Sequence, residues 1–374
     1  MVRSFWLDEP VPPLPRRTLS TRPDVEIIGG GVTGCACALA LARGGLTVRL
    51  HEAREVATGA SGRNGGFALR GAALPYDVAR DRLGPDRAKA LWRLTEAGLN
   101  RLEELAGDAL RRKGSVRLAV DDDEAAELRR EYETLVSDGF DAEWTETLRP
   151  PLRGRFSAAL VHPGDGALQP ARWVRRLAHA AAAAGTEIRE HSRVALGDLE
   201  AERVVVATDG YGTGLVPELD GVVTPTRGQM LVTEALPQLL FPRPHYARRG
   251  LDYWHQTPDR RLVIGGWRDV SLESELTAEE AINSVIQEKI EAFVRELLSR
   301  PARVTHRWAG IFGVTPDRLP LVGPVPRFDG RVWIAAGYSG HGNVLGLVCG
   351  ELVAKALLGE AESELALFDP GRLL

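Results

Sequence analysis

Apolar residues along this chain follow two rhythms: short runs bounded by glycine, and longer stretches with three- and four-residue spacing. The first run, Val25, Ile27 and Ile28, reads as a buried strand and leads straight into Gly29-Gly30-Gly31-Val32-Thr33-Gly34. An Ala/Leu-rich helical segment follows, and a second apolar strand, Leu46 to Leu50, then delivers Glu52 and Ala53. From Tyr76 to about Leu110 the apolar residues Ala88, Leu91, Leu94, Leu99, Leu102 and Leu105 predict helix. Alternating Val116, Leu118 and Val120 predict a strand. Asp121-Asp122-Asp123-Glu124 then suits the positive end of a helix running to about Gly139, with no metal site expected in the acidic run. Turn residues from Val161 to Pro170 precede a helix over Ala171 to Ala184. Strands over Thr186 to Val194 and Arg203 to Ala207 come next, the second ending in Ala207-Thr208-Asp209-Gly210. Thr224 to Met230 enters a further strand. Asp252 to Thr257 and Arg261 to Trp267 form two more, joined by a Pro-Asp turn. Alternation puts Asp252, Trp254 and Gln256 on one face and Tyr253, His255 and Thr257 on the other. A helix over Ala278 to Leu298 and a strand over Val332 to Ala336 lead to Gly337-Tyr338-Ser339-Gly340-His341-Gly342-Asn343, which opens an apolar helix to about Leu358.

Strand, glycine turn, helix, strand and acid in this order form a dinucleotide-binding unit. Gly29 permits the tight turn, Gly31 lets the backbone approach a pyrophosphate, and Gly34 lets the helix pack on the sheet. The helix start at Val32 and Thr33 presents N–H groups to phosphate. Glu52 is placed to accept ribose hydroxyls. The following Ala57-Thr58-Gly59-Ala60-Ser61-Gly62-Arg63-Asn64-Gly65-Gly66 is a glycine-rich loop able to wrap a polar ligand, with Arg63 positioned to balance phosphate charge. The glycine turn at Gly337 to Asn343 again aims helix N–H groups at negative charge.

Taken together, Gly29-x-Gly31-x-x-Gly34, Glu52 and Ala60-Ser61-Gly62-Arg63-Asn64-Gly65-Gly66 resemble the FAD-dependent amine and amino-acid oxidoreductases of the D-amino-acid oxidase superfamily. The Ser-Gly-Arg-Asn-Gly-Gly version is most similar to the gamma-glutamylputrescine oxidase branch. The resemblance runs from Val25 to about Leu358 and implies an α/β fold with two domains. A discontinuous, Rossmann-like FAD-binding domain takes residues 24–75, 151–225 and 305–374. A substrate domain built on a mixed β-sheet takes 76–150 and 226–304, and residues 1–23 form an arm. Beyond the glycine turn and Glu52-Ala53, the resemblance gives cofactor roles to Ser61, Gly62, Arg63, Asn64 and Gly65. It adds Val194 as an adenine contact through its backbone, Thr208 and Gly210 in the closing turn, and Gly337, Gly340, His341, Gly342 and Asn343 beside the flavin. Between Val194 and Val204 the chain is shorter than its relatives, which carry a longer hairpin there.

The implied chemistry is hydride transfer from the α-carbon of an amine or amino acid to flavin N5, the imine then hydrolysing; the protein supplies position and electrostatics. Tyr253, Trp254 and His255 are expected to line the pocket with His341, and Arg248 or Arg249 to bind a substrate carboxylate. Relatives with covalent FAD use a cysteine in the segment matching Thr315 to Pro320, or a histidine just beyond the second strand. Neither is found there, so noncovalent FAD is expected. Oxygen-using sarcosine oxidase relatives carry a lysine on the strand matching Arg261 to Arg268. This chain has only Lys89, Lys113, Lys289 and Lys355, none on that strand, so beside oxygen a dehydrogenase passing electrons to a quinone or another carrier stays open. An NAD-linked dehydrogenase would leave both later glycine segments unexplained; a flavin-binding protein without catalysis is the remaining alternative.

Composition adds limits. With 44% hydrophobic and 26% charged residues the 374-residue chain reads as an ordinary globular protein, and a net charge of −4 gives no reason to expect nucleic acid or an anionic membrane. No apolar run approaches a membrane span. Residues 1–23, with Pro10, Pro12, Pro13, Pro15 and Pro23, lack the apolar centre of a signal peptide and read as an extended arm that Phe5, Trp6 and Leu7 would anchor. Cys35, Cys37 and Cys349 fit a reducing cytoplasm and core-filling roles, and no metal site is expected.

Overall fold

A computed structural model describes residues 3–360 and 363–374. Six strands form the first sheet, in the order Leu321–Pro324, Val332–Ala336, Arg203–Val206, Val25–Ile28, Val48–His51 and Glu187–Arg189. All pair in parallel except the edge strand Leu321–Pro324. Helices cover such sheets, so a central strand is buried on both faces and reads as an apolar run; Val25–Ile28 is buried at all four positions. Glu26 is the exception within it. Its carboxylate accepts the Glu200 and Ala201 N–H groups at 2.7 and 2.9 Å and pairs with Arg49 at 3.3 Å, so the buried charge is satisfied.

Helices Val32–Arg43 and Gly342–Leu357 pack side by side through their N-terminal halves. A Cβ at Gly350 would lie 2.5 Å from the Thr33 carbonyl oxygen, and one at Gly346 would lie 2.6 Å from Val32. Small residues therefore set the distance between these helices, and with it the spacing of their two N-termini.

The second sheet has eight strands, ordered Val304–Val314, Thr224–Ala235, Arg261–Gly266, Asp252–Gln256, His245–Ala247, Ser115–Ala119, Ala158–His162 and Glu143–Thr145. One face buries Trp254, Ile264, Ile286 and Ile290. The other turns Tyr253, Met230 and Val263 towards the first sheet's layer. Short strands Phe67–Ala68, Gly166–Leu168 and Leu110–Arg111 form a third sheet between them.

Several elements differ from the sequence expectation for local reasons. The helix expected over Tyr76 to Leu110 is two, Tyr76–Leu83 and Pro85–Ala106, broken where Gly84 adopts φ +83°. The helix expected from Ala278 starts at Ser284, because Asn283 caps it by accepting the Val285 and Ile286 N–H groups. The strand expected over Thr186 to Val194 ends at Arg189, and His191 then turns with φ +55°. Ala158–His162 and Val304–Val314 belong to the larger sheet, although residues 151–225 and 305–374 were assigned to the cofactor domain.

The arm is pinned as its aromatic residues suggested. Phe5–Leu7 form a 3-10 turn, and Trp6 is fully buried. Its indole N–H donates to the Asn64 carbonyl at 2.8 Å, and its ring stacks on His255 at 6.0 Å. The Gln169 amide donates to the Trp6 carbonyl, and His306 meets Asp8 at 2.8 Å.

Candidate active site

A cavity of about 680 Å³ runs between the two large sheets, from the glycine turn to the far end of the larger sheet. Gly31, Val32, Thr33, Ser61, Arg63, Asn64 and Gly65 line its first part, and Gly340, His341, Gly342 and Asn343 line the wall opposite. Both motifs expected to hold a dinucleotide thus meet in one space.

The three glycines have separable roles. A Cβ at Gly29 (φ +112°) would lie 2.6 Å from the Ala207 carbonyl oxygen, and one at Gly34 would lie 1.9 Å from that of Gly29. Gly29 and Gly34 therefore shape the turn without lining the cavity. Gly31 does line it, and the nearest atom to a Cβ there is Ser61 Oγ at 2.9 Å. That hydroxyl accepts the Val32 N–H at 3.0 Å, fixing the loop against the helix start. Glu52 accepts the Gly30 and Arg54 N–H groups at 2.8 Å each, which aims its carboxylate at the turn. A carboxylate has about four acceptor directions, so capacity remains for hydroxyl donors. Ala53 and Val194 are half-buried and lie outside the cavity wall, Val194 packing among the residues around Leu199.

Gly62 and Arg63 act structurally. A Cβ at Gly62 would lie 2.0 Å from the Ala57 carbonyl oxygen. The Arg63 guanidinium, expected to balance phosphate, is instead buried behind the loop, donating to the Thr58 and Ala309 carbonyls and pairing with Glu280 at 3.0 Å. A buried arginine needs partners for its five donors, and these carbonyls and the carboxylate provide them. Asn64 joins the two motifs: its amide faces that of Asn343, whose Nδ2 also donates to the Phe67 carbonyl at 2.7 Å.

Asp209 is a residue that sequence reasoning passed over, although the turn containing it was singled out. Its buried carboxylate accepts N–H groups from Gly313 and Gly337 at 2.8 Å and from Tyr338 at 3.4 Å. Burial pushes its carboxyl above the ordinary range against the pull of those donors. Thr208 precedes this turn. A Cβ at Gly210 would lie 2.7 Å from the Phe312 carbonyl carbon, so the turn sits directly on strand Val304–Val314. Gly337 (φ +84°) lies behind the wall, against Thr315.

Of the four residues given a catalytic role, Tyr253 and His341 reach the cavity. Trp254 does not: strand alternation turns it into the second core, against Phe241, His245 and Phe293. His255 shares the face of Tyr253 but stands behind the loop, its Nε2 2.9 Å from the Gly65 carbonyl. Arg248 is tied to Asp252 and Asp269, and Arg249 pairs through its guanidinium with Glu127, so neither presents an unpaired charge for a substrate. His341 Nδ1 is buried, with the Ser339 backbone beside it. Burial, with Arg117 adding repulsion, lowers its pKa to about 4, so the ring is neutral at physiological pH.

Farther along, the wall is polar. Arg117 pairs with Glu131, and Asp165 accepts the Ser115 hydroxyl at 2.6 Å and the Arg70 N–H at 2.9 Å. The signal for Arg117 was present in the sequence, as the polar position between Val116 and Leu118. Burial pushes Asp165 up to about 6. Its folded pKa lies above the ordinary 3.8, so its contribution to stability is fully present below pH 3.8 and lost as pH rises through 6. Asp165→Asn should therefore gain stability relative to the parent between pH 4 and 7, by at most about 3 kcal/mol. Urea unfolding across that range checks this, and parallel curves for the two proteins would refute it.

Among the described residues no cluster of histidine, cysteine and carboxylate side chains is arranged to hold a metal. No helix among them is long and apolar enough to cross a membrane.

A family model described as FAD dependent oxidoreductase matches residues 24–356. The gamma-glutamylputrescine oxidoreductase of Escherichia coli K12 is 29% identical over 370 residues, covering 91% of this chain and 84% of the relative. Glycine oxidase of Geobacillus kaustophilus is 26% identical over 365 residues, covering 90% and 93%. The crystal structure of that glycine oxidase superposes with a TM-score of 0.78, covering 95% of this chain and all of the other. L-proline dehydrogenase from P. horikoshii, 20% identical, shares the fold with a TM-score of 0.76.

Proposed function

The chain belongs to the DAO family of FAD-dependent oxidoreductases, and from that premise we propose that it oxidises the carbon–nitrogen bond of a small amine or amino acid. The reaction removes the α C–H and one N–H as two electrons and two protons, and water then hydrolyses the imine. FAD supplies the two-electron acceptor when bound. One observation carries the reading: a single cavity is lined by Gly31 and Ser61 of the glycine motifs and by Tyr253 of the larger sheet. Relatives named for gamma-glutamylputrescine and for glycine, both amine-bearing compounds, support the substrate class.

The chain's own groups have definable tasks. Val32 and Thr33, at the start of the first helix, would hold the pyrophosphate, and Glu52 the ribose. Gly340 to Asn343, at the start of the last helix, would place a positive helix end where it could stabilise negative charge on the bound flavin. The neutral His341 is suited to hydrogen bonding there without adding a charge. Tyr253 stands over Gly65, where a Cβ would lie 3.1 Å from its ring.

Noncovalent attachment accords with the positions of the cysteines and of His51. Cys35, Cys37 and Cys349 are buried away from the cavity, and His51 is held by Ser192 and Glu26. The cavity wall contains no lysine, which favours an acceptor other than oxygen as a second reading. The near-neutral net charge and the free, buried cysteines accord with a cytoplasmic setting.

Purified protein should be yellow, and acid or detergent should release all of its FAD from the polypeptide. Anaerobic mixing with a panel of amines and amino acids should bleach the flavin, and stopped-flow mixing with air then measures oxygen's part. A flavin that no amine bleaches would defeat the catalytic reading in favour of a flavin-binding role. Colour retained on the denatured chain would defeat noncovalent attachment.

A further inference from the structure

One carboxylate outside the cavity gathers three segments of the expected cofactor cradle. Glu280 lies in the connection between the 3-10 segment Arg268–Glu275 and helix Ser284–Leu298, its side chain 15% exposed. Arg54 Nη1 donates to both of its oxygens at 3.0 Å, the Tyr211 hydroxyl donates to Oε1 at 2.6 Å, and Arg63 Nη2 meets Oε2 at 3.0 Å. Each oxygen thus takes two donors, which fills the about four acceptor directions of a carboxylate. The segment carrying Glu280 is fixed in its turn. Arg227 donates to the Glu279 carbonyl at 3.1 Å and the Gln229 amide to the Ala281 carbonyl at 3.0 Å, both from strand Thr224–Ala235.

The three donors belong to different parts of the cradle. Arg54 follows strand Val48–His51, and its backbone N–H also donates to Glu52 at 2.8 Å, so its anchor bears on the acid expected at the ribose. Arg63 lies in the loop with Ser61, Asn64 and Gly65, which line the cavity. Tyr211 ends the turn begun by Asp209, the residue that holds the Gly313 and Gly337 N–H groups. Ligands of open parallel sheets sit beyond the carboxyl ends of the strands, where separate loops must meet. Strand pairing ends before those loops begin, so side-chain cross-links set their mutual spacing. Removing this one would leave the Arg63 guanidinium, 3% exposed, without its countercharge. We propose that Glu280 is a positioning residue that keeps the ribose end and the flavin end of the cofactor site in register, acting through Arg54, Arg63 and Tyr211 without touching FAD. This rests on the cofactor placement given above and is independent of the substrate.

Release of FAD from the diluted holoenzyme, followed by the rise in flavin fluorescence, tests this without turnover. Glu280→Ala should release FAD roughly 30-fold faster than the parent, the scale of one lost charge-assisted hydrogen bond, and should change the visible circular dichroism of the bound flavin. Glu280→Gln keeps an acceptor oxygen for Tyr211 and should lie between. Should Glu280→Ala fail to fold, Glu280→Gln carries the same comparison. Glu187→Ala is the control: Glu187 likewise holds two arginines, Arg49 and Arg189, but at the edge of the first sheet and with no loop of the cradle. It should lower the melting temperature and leave release and dichroism near the parent's. Equal acceleration in Glu280→Ala and Glu187→Ala, in step with their melting temperatures, would make Glu280 a general structural tie and overturn the inference. So would unchanged release from Glu280→Ala, an outcome that leaves the cofactor placement standing. A Gly34→Ala protein that retains its flavin would instead defeat that placement, and the inference with it.

Discussion

Gly34→Ala is expected to yield a protein that binds FAD at least 100-fold more weakly, or none at all. The added methyl would sit 1.9 Å from the Gly29 carbonyl oxygen and 3.3 Å from Ile27 Cγ2. Relief requires moving helix Val32–Arg43 off the sheet, because the opposing atom is backbone and has no rotamer to change. Such overpacking costs about 3 kcal/mol or more. The cost falls on the helix start that would carry the pyrophosphate, so cofactor affinity and stability fall together. Gly197→Ala makes the control: no atom lies within 4 Å of a Cβ there, and its φ is ordinary. Flavin content after gel filtration and melting temperature with and without added FAD provide the measurements. A Gly34→Ala protein with full flavin content and an unshifted melt would refute the assignment.

The second large effect is expected at Asp209. Replacing it with alanine strips acceptors from the Gly313 and Gly337 N–H groups, and each buried unsatisfied donor costs about 1–3 kcal/mol. Asp209 also holds φ +47°, a conformation that aspartate and asparagine adopt more readily than alanine. The sum is about 2–6 kcal/mol, concentrated where the closing turn, strand Val304–Val314 and the last glycine turn meet. Asp209→Asn keeps one acceptor and the tolerance for positive φ, and should lose about half as much. Urea midpoints for the three proteins, with flavin retention in parallel, decide the matter. Equal midpoints for alanine and asparagine would show that the carboxylate is not the tie.

Backbone requirements were the most legible part of the sequence. Gly29, Gly31 and Gly34 could be given separate tasks because each task needs a missing Cβ at a fixed spacing from a strand, and the structure places a carbonyl, an open cavity and another carbonyl at those positions. Strand alternation correctly separated Tyr253 from Trp254. It could not say which face met the cavity, because both faces are buried and apolar-rich, and so Trp254 was assigned to the wrong one. Long side chains were the least legible. Arg63 lies inside the cofactor loop yet turns its guanidinium backwards to Glu280, a partner 217 positions away along the numbering that no local pattern announces. Arg248 and Arg249 are likewise paired with carboxylates of other elements, Asp269 and Glu127.

The pinned arm carries a kinetic consequence. Trp6 closes on Asn64 across 58 positions, whereas Asp8 closes on His306 across 298, so only the second contact waits for most of the chain. Long loops are slow to close. The Asn64 carbonyl that the Trp6 indole holds belongs to the loop expected beside the flavin. The arm can therefore meet the loop early but gains its second anchor only when strand Val304–Val314 is in place.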